Sequence, residues 1–437
     1  MSTLFDPDLI VYERFEPVRA ENSRGIFAST GRNFAGSTFG RDSAEVGEDL
    51  VEFDPVIPRE VLLTLASLQG LGHDDLTEEE PGRIHHLYRA KDDMVTEENM
   101  LAYRIDSLRW GSDGKEMIYY GSVDATALFV RLGVRYARIH GEGILYERVT
   151  GRDGQERILA DHLLMAADWL LAKIASSDLG LIEFKHTNPN GEHIQAWKDS
   201  LAAYTHTDGT PVNVDDAIAP LEVQGYAYDA LKGIEALFPG SVPEGLAMGL
   251  ARRTISNFWL EDEQMFAQAI DRDANAHPRP VRTPTSNSGL ILDSDLLVDM
   301  PGTEHKVKTT IDMLMGPDFM TRAGLRCRSL AYAHLIEYPD YHGSYAVWFK
   351  ETNDFIRGLE KHGRKAQANK LAQAIISTIQ DLGEYYEFVF VDEHGELIHP
   401  SAQNGRFADA RSRVPEPGQA WTISAFVRCL RLSQLNS

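Results

Sequence analysis

The sequence predicts an almost all-helical fold, with a closed double ring of helices favoured over a bundle or a solenoid, on three observations. Helical periodicity recurs along the whole chain. Dividing its 437 residues among twelve helices leaves about 36 residues for each helix and loop, an ordinary spacing. The loops are long and rich in Gly, Pro, Asn, Asp, Trp and Tyr, and in a ring the loops at one end can converge on a single pocket.

Taken in order, amphipathic stretches predict helices at residues 58–68, 123–139, 161–175, 216–237, 243–256, 343–359 and 365–382, with a last one running from 419 to 432. The clearest is 365–382: Leu371, Ile375, Ile376, Ile379 and Leu382 fall on one face, and Gly383 follows as a C-cap. Polar and aromatic loops are expected at 39–42, 79–89, 119–124, 188–200, 284–289 and 338–343. The one convincing strand signal is 388–391, with short hairpins beside it. No low-complexity linker divides the chain, so residues 1–437 are expected to form one domain, with 1–35 as an N-terminal lead-in.

Composition narrows the function. The formal net charge of −23 comes from 43 basic and 66 acidic side chains. Such a field repels phosphate backbones and anionic lipid, which argues against nucleic-acid and membrane partners, but leaves neutral sugars untouched. Two cysteines, Cys327 and Cys429, exclude a disulfide framework and a thiolate cluster and read as reduced structural thiols. The N-terminus lacks the basic and then apolar run of a signal peptide, and no stretch of about 18 uncharged apolar residues occurs. A cytoplasmic protein is expected.

No dinucleotide turn, P-loop, metalloprotease helix or Cys/His metal spacing stands out, and no nucleophile elbow is present. His85-His86 lies beside Arg83 and Arg89, a poor setting for a cation. No cofactor and no metal are therefore expected. What remains is carboxylates beside aromatics. Asp199 follows Trp197 and Lys198, and Glu387 sits within Tyr385-Tyr386-Glu387-Phe388. Acetal hydrolysis needs a proton donor for the leaving oxygen and a second carboxylate for water or for the anomeric carbon. Aromatic walls stack on pyranose faces and desolvate an acid, raising its pKa. Spacing alone equally allows helix caps or surface ion pairs at both positions.

Several segments resemble one known family. Phe39-Gly40-Arg41-Asp42-Ser43 is similar to the FGRDS segment of the amylo-α-1,6-glucosidase domain of glycogen-debranching enzymes. Residues 79–86 resemble that family's EEPGKI-HE, with Leu87 where the family has Glu. Residues 119–126 match its YYGSVDAT, 195–200 its QGWKDS, and 222–226 its EVQGY. Residues 285–289 resemble TSNPGH without its Pro and His, 324–326 stand in place of GWGIRT, 341–344 with Trp348 are similar to YHNGSVWP, and 419–421 match the closing QAW. The segments keep their order from about residue 36 to residue 421. The C-terminal third also resembles the mannosylglycerate and glucosylglycerate hydrolases, whose base lies in an EYY-P-TG segment, while residues 398–417 depart from both families.

The resemblance implies an (α/α)6 barrel and inverting hydrolysis of α-glycosides. It makes Asp199 the general acid, Trp197 its aromatic wall and Glu387 the base, with Glu384, Glu393 and Glu396 as rivals. Arg41, Asp42, Tyr120, Asp124, Lys198, Gln224, His342, Gln419 and Trp421 are the expected sugar contacts. Glu222 also has a claim, and Trp348 reads as core. Arg41–Asp42 as a sealing ion pair and Asp124 as a helix-end charge stay open. The partner is a carbohydrate, either an α-linked glucoside or a short α-glucoside or α-mannoside such as a glycosyl-glycerate. A sugar epimerase or isomerase working through histidine, and a non-catalytic sugar-binding protein, are the alternatives. The sequence is silent on oligomeric state.

Overall fold

The computed structural model describes residues 7–19, 25–31, 34–402, 407 and 413–435. Part of the expected lead-in, 1–35, thus lies outside the described residues. The described chain is mostly helical, with five small antiparallel sheets of two or three short strands. Backbone contacts divide it into two compact units, each discontinuous in sequence: residues 1–197, 229–247 and 418–424, and residues 198–228, 248–417 and 425–437.

In the first unit, strands Ser37–Phe39, Leu87–Ala90 and Glu116–Tyr119 form a sheet with Phe39 opposite Leu87 and Leu87 opposite Tyr119. Its apolar face joins Met94, Tyr103 and Trp110, and the Trp110 and Tyr119 rings stack with centroids 4.4 Å apart. The first strand feeds directly into helix Gly40–Leu50, and Gly40 is required there. Its N–H donates to His86 O at 3.2 Å, and a Cβ at this position would stand 2.1 Å from His85 O. Every residue of the helix is buried, acids included. Glu48 survives burial by pairing with Arg131 at 3.1 Å and with Arg135, as a buried charge must. Helices Val56–Ser67 and Ala125–His140 pack against it and each other, and Leu159–Ser176 packs against those two.

In the second unit, helix Phe349–Lys361 packs against Lys365–Leu382 and the turn Ile291–Asp293. It too is buried along nearly its whole length. Its charges are paired internally: Lys350 with Asp354 at 2.6 Å, and Arg357 with Asp354 at 2.6 Å and Asp293 at 3.1 Å. A sheet of Ala346–Val347, Val389–Val391 and Leu397–Ile398 lies at the start of this helix.

The periodic helices stand where the sequence predicts them, at Val56–Ser67, Ala125–His140, Leu159–Ser176, Leu246–Phe258, Lys365–Leu382 and Ala420–Leu435. Gly383 is left-handed at φ 66°, as a C-cap should be. Several expectations need correction. The helix expected from 216 begins at Leu221, because Ala219–Pro220 pairs with strand Ala269–Arg272. The helix expected from 343 begins at Phe349, because Ala346–Val347 is a strand. Residues 40–42 open a helix rather than lie in a loop, and 87–89 belong to a strand. Helices Glu97–Trp110 and Glu304–Leu314 were not expected from periodicity.

Candidate active site

The second unit holds Asp199 on an irregular segment with its neighbours fixed on both sides. Lys198 is fully buried; its ammonium pairs with Glu351 at 2.9 Å and donates to Ser286 Oγ and Cys327 O, each at 2.9 Å. Those three partners use all three ammonium protons. Ser200 Oγ donates to buried Asp340 at 2.8 Å, and the same carboxylate oxygen accepts the His342 N–H at 2.9 Å. Burial pushes the Asp340 pKa up. Between these two anchors the Asp199 side chain stays 35% exposed.

Asp199 Oδ1 accepts a 2.8 Å hydrogen bond from the Tyr341 hydroxyl, and His342 Nδ1 lies 3.9 Å from the same oxygen. Burial, together with the negative charge of Asp199, pushes the Tyr341 pKa up, so the phenol remains a donor. Trp348 fixes this tyrosine: its indole N–H donates to Tyr341 O at 2.5 Å. The indole also stacks on His342 (centroids 5.1 Å apart) and on Phe388 (4.9 Å). The Arg413 guanidinium stands 5.0 Å from the Tyr341 ring centroid, within cation–π range.

Glu387 immediately precedes Phe388 and is half-buried, and its N–H donates to Glu416 O at 2.8 Å. One aromatic cluster of Tyr341, His342, Trp348 and Phe388 therefore carries Asp199 at one side and adjoins Glu387 at another. The rival acids sit differently. Glu384 accepts from the N–H of its neighbour Tyr385 at 2.7 Å. Glu393 and Glu396 are exposed in the turn that Asp392 caps, its Oδ1 accepting from His394 N and Glu396 N at 2.9 Å each. Gln224 is buried in its helix and donates to Pro220 O at 2.9 Å, and Glu222 accepts from Asn287 at 3.1 Å.

The first unit gathers other expected residues into two groups. Arg41 pairs with Asp124 at 2.7 Å, and Ser122 Oγ donates to the second Asp124 oxygen at 2.6 Å. Asp124 precedes helix Ala125–His140 without making a side-chain cap hydrogen bond, so its ties run to Arg41 and Ser122. Asp42 is buried beside Arg41 in sequence. In the second group, Trp197 meets Trp421 edge to face with centroids 6.0 Å apart. Gln419 is oriented by its neighbours, donating to Ala28 O at 2.5 Å and accepting from Trp421 Nε1 at 3.2 Å. Tyr120 is buried, and its hydroxyl donates to Leu68 O at 2.8 Å and accepts from Arg152 at 2.9 Å.

Tyr341, Asp340, Phe388 and Arg413 are not among the candidates that the sequence singles out, whereas Trp348, which reads as core there, is buried. A signal was available for Tyr341 alone, as the residue before His342 in the YHGS run. Among the described residues, no group of three or more His, Cys, Asp or Glu side chains is arranged to hold a metal ion. No described helix is long and apolar enough to cross a membrane.

The fold is one shared with glycoside hydrolases of known structure. The family-63 mannosylglycerate hydrolase of Thermus thermophilus, in complex with glucose, matches with a TM-score of 0.61 at 12% identity, over 97% of this chain and 99% of that one. The same hydrolase with Tris and D-glycerate gives 0.60 at 12% identity, over 97% and 99%. A wild-type glycosidase gives 0.58 at 12% identity, over 98% and 97%. No family model matches the sequence. No curated protein matches it either. At such identities the likeness is one of fold, and the resemblance to amylo-α-1,6-glucosidases rests on the sequence motifs.

Proposed function

We propose that the protein is an inverting glycoside hydrolase of the (α/α)6-barrel kind, one domain throughout, acting on a short α-glucoside or α-mannoside. The observation that carries this reading is the Tyr341–Asp199 hydrogen bond of 2.8 Å at the edge of an aromatic cluster that adjoins Glu387. Asp199 donates its proton to the glycosidic oxygen as the bond to the anomeric carbon breaks. Glu387 takes a proton from the water that attacks that carbon from the opposite face. The sugar leaves with inverted configuration, and exchange with solvent resets both carboxyl groups. The aromatic cluster supplies the apolar wall that a pyranose face needs. No cofactor enters this scheme.

Inversion leaves room for a water, so the reading requires carboxyl groups about 6.5–9.5 Å apart, against about 5 Å for retention. The solved neighbours bound to glucose and to D-glycerate favour a small glycoside, such as a glycosyl-glycerate, over a polymer. Arg41, Asp42, Asp124, Trp197, Gln419 and Trp421 are assigned to sugar binding on sequence pattern. Lys198, Tyr120 and Gln224 have their polar groups engaged internally, which favours a structural role for these three.

The test is a panel of α-linked glucosides and mannosides followed by anomeric proton NMR, beside Asp199→Asn and Glu387→Gln. Early appearance of the β-sugar, with each variant slowed by about 10²–10⁴-fold, is the expected result. Turnover of glycogen limit dextrin but of no small glycoside overturns the substrate class. Activity that survives Asp199→Asn but not His342→Ala moves the assignment to an epimerase.

A further inference from the structure

Helix Glu97–Trp110 in the first unit is well made on its inner side and bare on its outer side. Thr96 caps it, accepting the Asn99 N–H at 3.1 Å. Tyr103 and Trp110 join the sheet core, and Asp106 pairs with Arg89 at 3.3 Å. Outside, Leu101, Ile105 and Leu108 are 57%, 48% and 86% exposed, and Val95 just before the helix is 83% exposed. The three helical positions fall at i, i+4 and i+7, a single stripe. Beside the stripe runs a groove of about 530 Å3 lined by Met100, Tyr103 and Leu108, with Lys91 and Arg104 among its walls.

The charges name the occupant. Glu97 and Glu98 at the start of the helix are exposed, as is Arg104 two turns on. Among the described residues none of the three takes part in an ion pair. A surface that is acidic at one end, basic further along and apolar between is complementary to itself when turned by a two-fold axis. The net charge of −23 disfavours an anionic membrane or a nucleic acid on the same face.

We propose that this face is the contact surface of a homodimer, in which helix Glu97–Trp110 packs antiparallel against the same helix of a second copy. With the axis near Leu101, Glu97 of each protomer meets Arg104 of its partner, since both lie on one flank of the stripe and the two-fold keeps that flank on one side. Leu108 of each covers Val95 of the other, and partner side chains enter the groove. The face is separate from Asp199 and Glu387 in sequence and lies in the other unit, so losing the dimer leaves hydrolysis intact.

The experiment is sedimentation equilibrium of the full chain with four variants: Ile105→Asp, Glu97→Arg, Arg104→Glu and the double charge swap. A wild-type dimer is expected. Ile105→Asp raises the dimer Kd by at least about 30-fold, the mark of an interface hot spot. Each single charge reversal weakens the dimer by placing like charges together, and the double swap restores it. Circular dichroism melts of the charge variants, which change no buried group, separate dissociation from misfolding. A monomeric wild type, a dimer indifferent to these variants, or failure of the double swap to rescue overturns the proposal. A monomer that instead binds vesicles of neutral lipid through this helix overturns it as well.

Discussion

Tyr341 holds Asp199: its hydroxyl donates at 2.8 Å to Oδ1, and its own position is fixed by Trp348 through a 2.5 Å bond to its carbonyl. With Asp199 as the general acid, this bond aims the carboxyl group at the leaving oxygen. Tyr341→Phe keeps the ring packing and removes only the donor. A hydrogen bond to a charged group contributes about 1.5–3 kcal/mol, so kcat is expected to fall about 10–100-fold with KM little changed. Steady-state kinetics on the substrate identified by the panel check this. A change confined to KM assigns Tyr341 to sugar binding instead.

Lys198 stands next to Asp199 but faces the interior, where Glu351, Ser286 and Cys327 take its three protons. Lys198→Met leaves the Glu351 carboxylate buried without its cation. Breaking such a pair costs about 3–5 kcal/mol, and a lower melting temperature follows. Adding Glu351→Leu removes the orphaned charge and restores part of the loss, so the two changes are non-additive. Thermal melts of both single variants and the double read this out. A normal melting temperature with a raised KM returns Lys198 to the list of sugar contacts.

The legible parts of the fold were those with a periodic polar face. Helix Lys365–Leu382 and its Gly383 cap read directly because one side meets water. Helix Gly40–Leu50 differs: its residues do carry a helical period, but the polar face of Asp42, Glu45, Glu48 and Asp49 is buried instead of meeting water. The strands are two to four residues long, too short for a period of two to declare itself. The proposed catalytic pair, Asp199 and Glu387, read in the sequence as acids beside aromatics. The Tyr341–Asp199 bond was not legible, since it joins residues 142 apart in the chain. Lys198 and Tyr120 carry the chemistry of sugar contacts, and only the structure shows where their hydrogen bonds go.

Glycine at 40 and at 82 answers to backbone crowding. A Cβ on Gly40 meets His85 O at 2.1 Å, and one on Gly82, whose φ is 85°, meets Met165 O at 2.1 Å. Neither contact is relieved by rotating a side chain. Gly40→Ala is expected to cost about 1–3 kcal/mol as an overpacked site. Gly82→Ala adds the strain of a left-handed residue and is expected to be the worse of the two. Urea denaturation of both variants checks the order. An alanine at 82 without effect means the Met165 segment moves freely.

Three buried histidines, His85, His86 and His162, and the half-buried His362 have pKa values pushed down by burial, His85 to about 3 and His162 to about 4. His162 shows how the neutral ring is held. Gln69 spends its amide protons on Gly82 O and His162 O, so its carbonyl accepts from the ring Nδ1 at 2.7 Å. In the unfolded chain this histidine takes a proton near its ordinary value of 6.5. Below pH 6.5 the unfolded state therefore binds a proton that the folded state refuses, and stability rises with pH across that window. The contribution is fully present above pH 6.5 and is lost as pH falls toward 4, by at most about 1.4 kcal/mol per pH unit for each such histidine. His162→Asn keeps a donor for Gln69 and removes the titration. Its melting temperature is expected to fall less steeply than that of the wild type between pH 6.5 and 4. Parallel slopes in the two proteins would mean that His162 is protonated in the folded state.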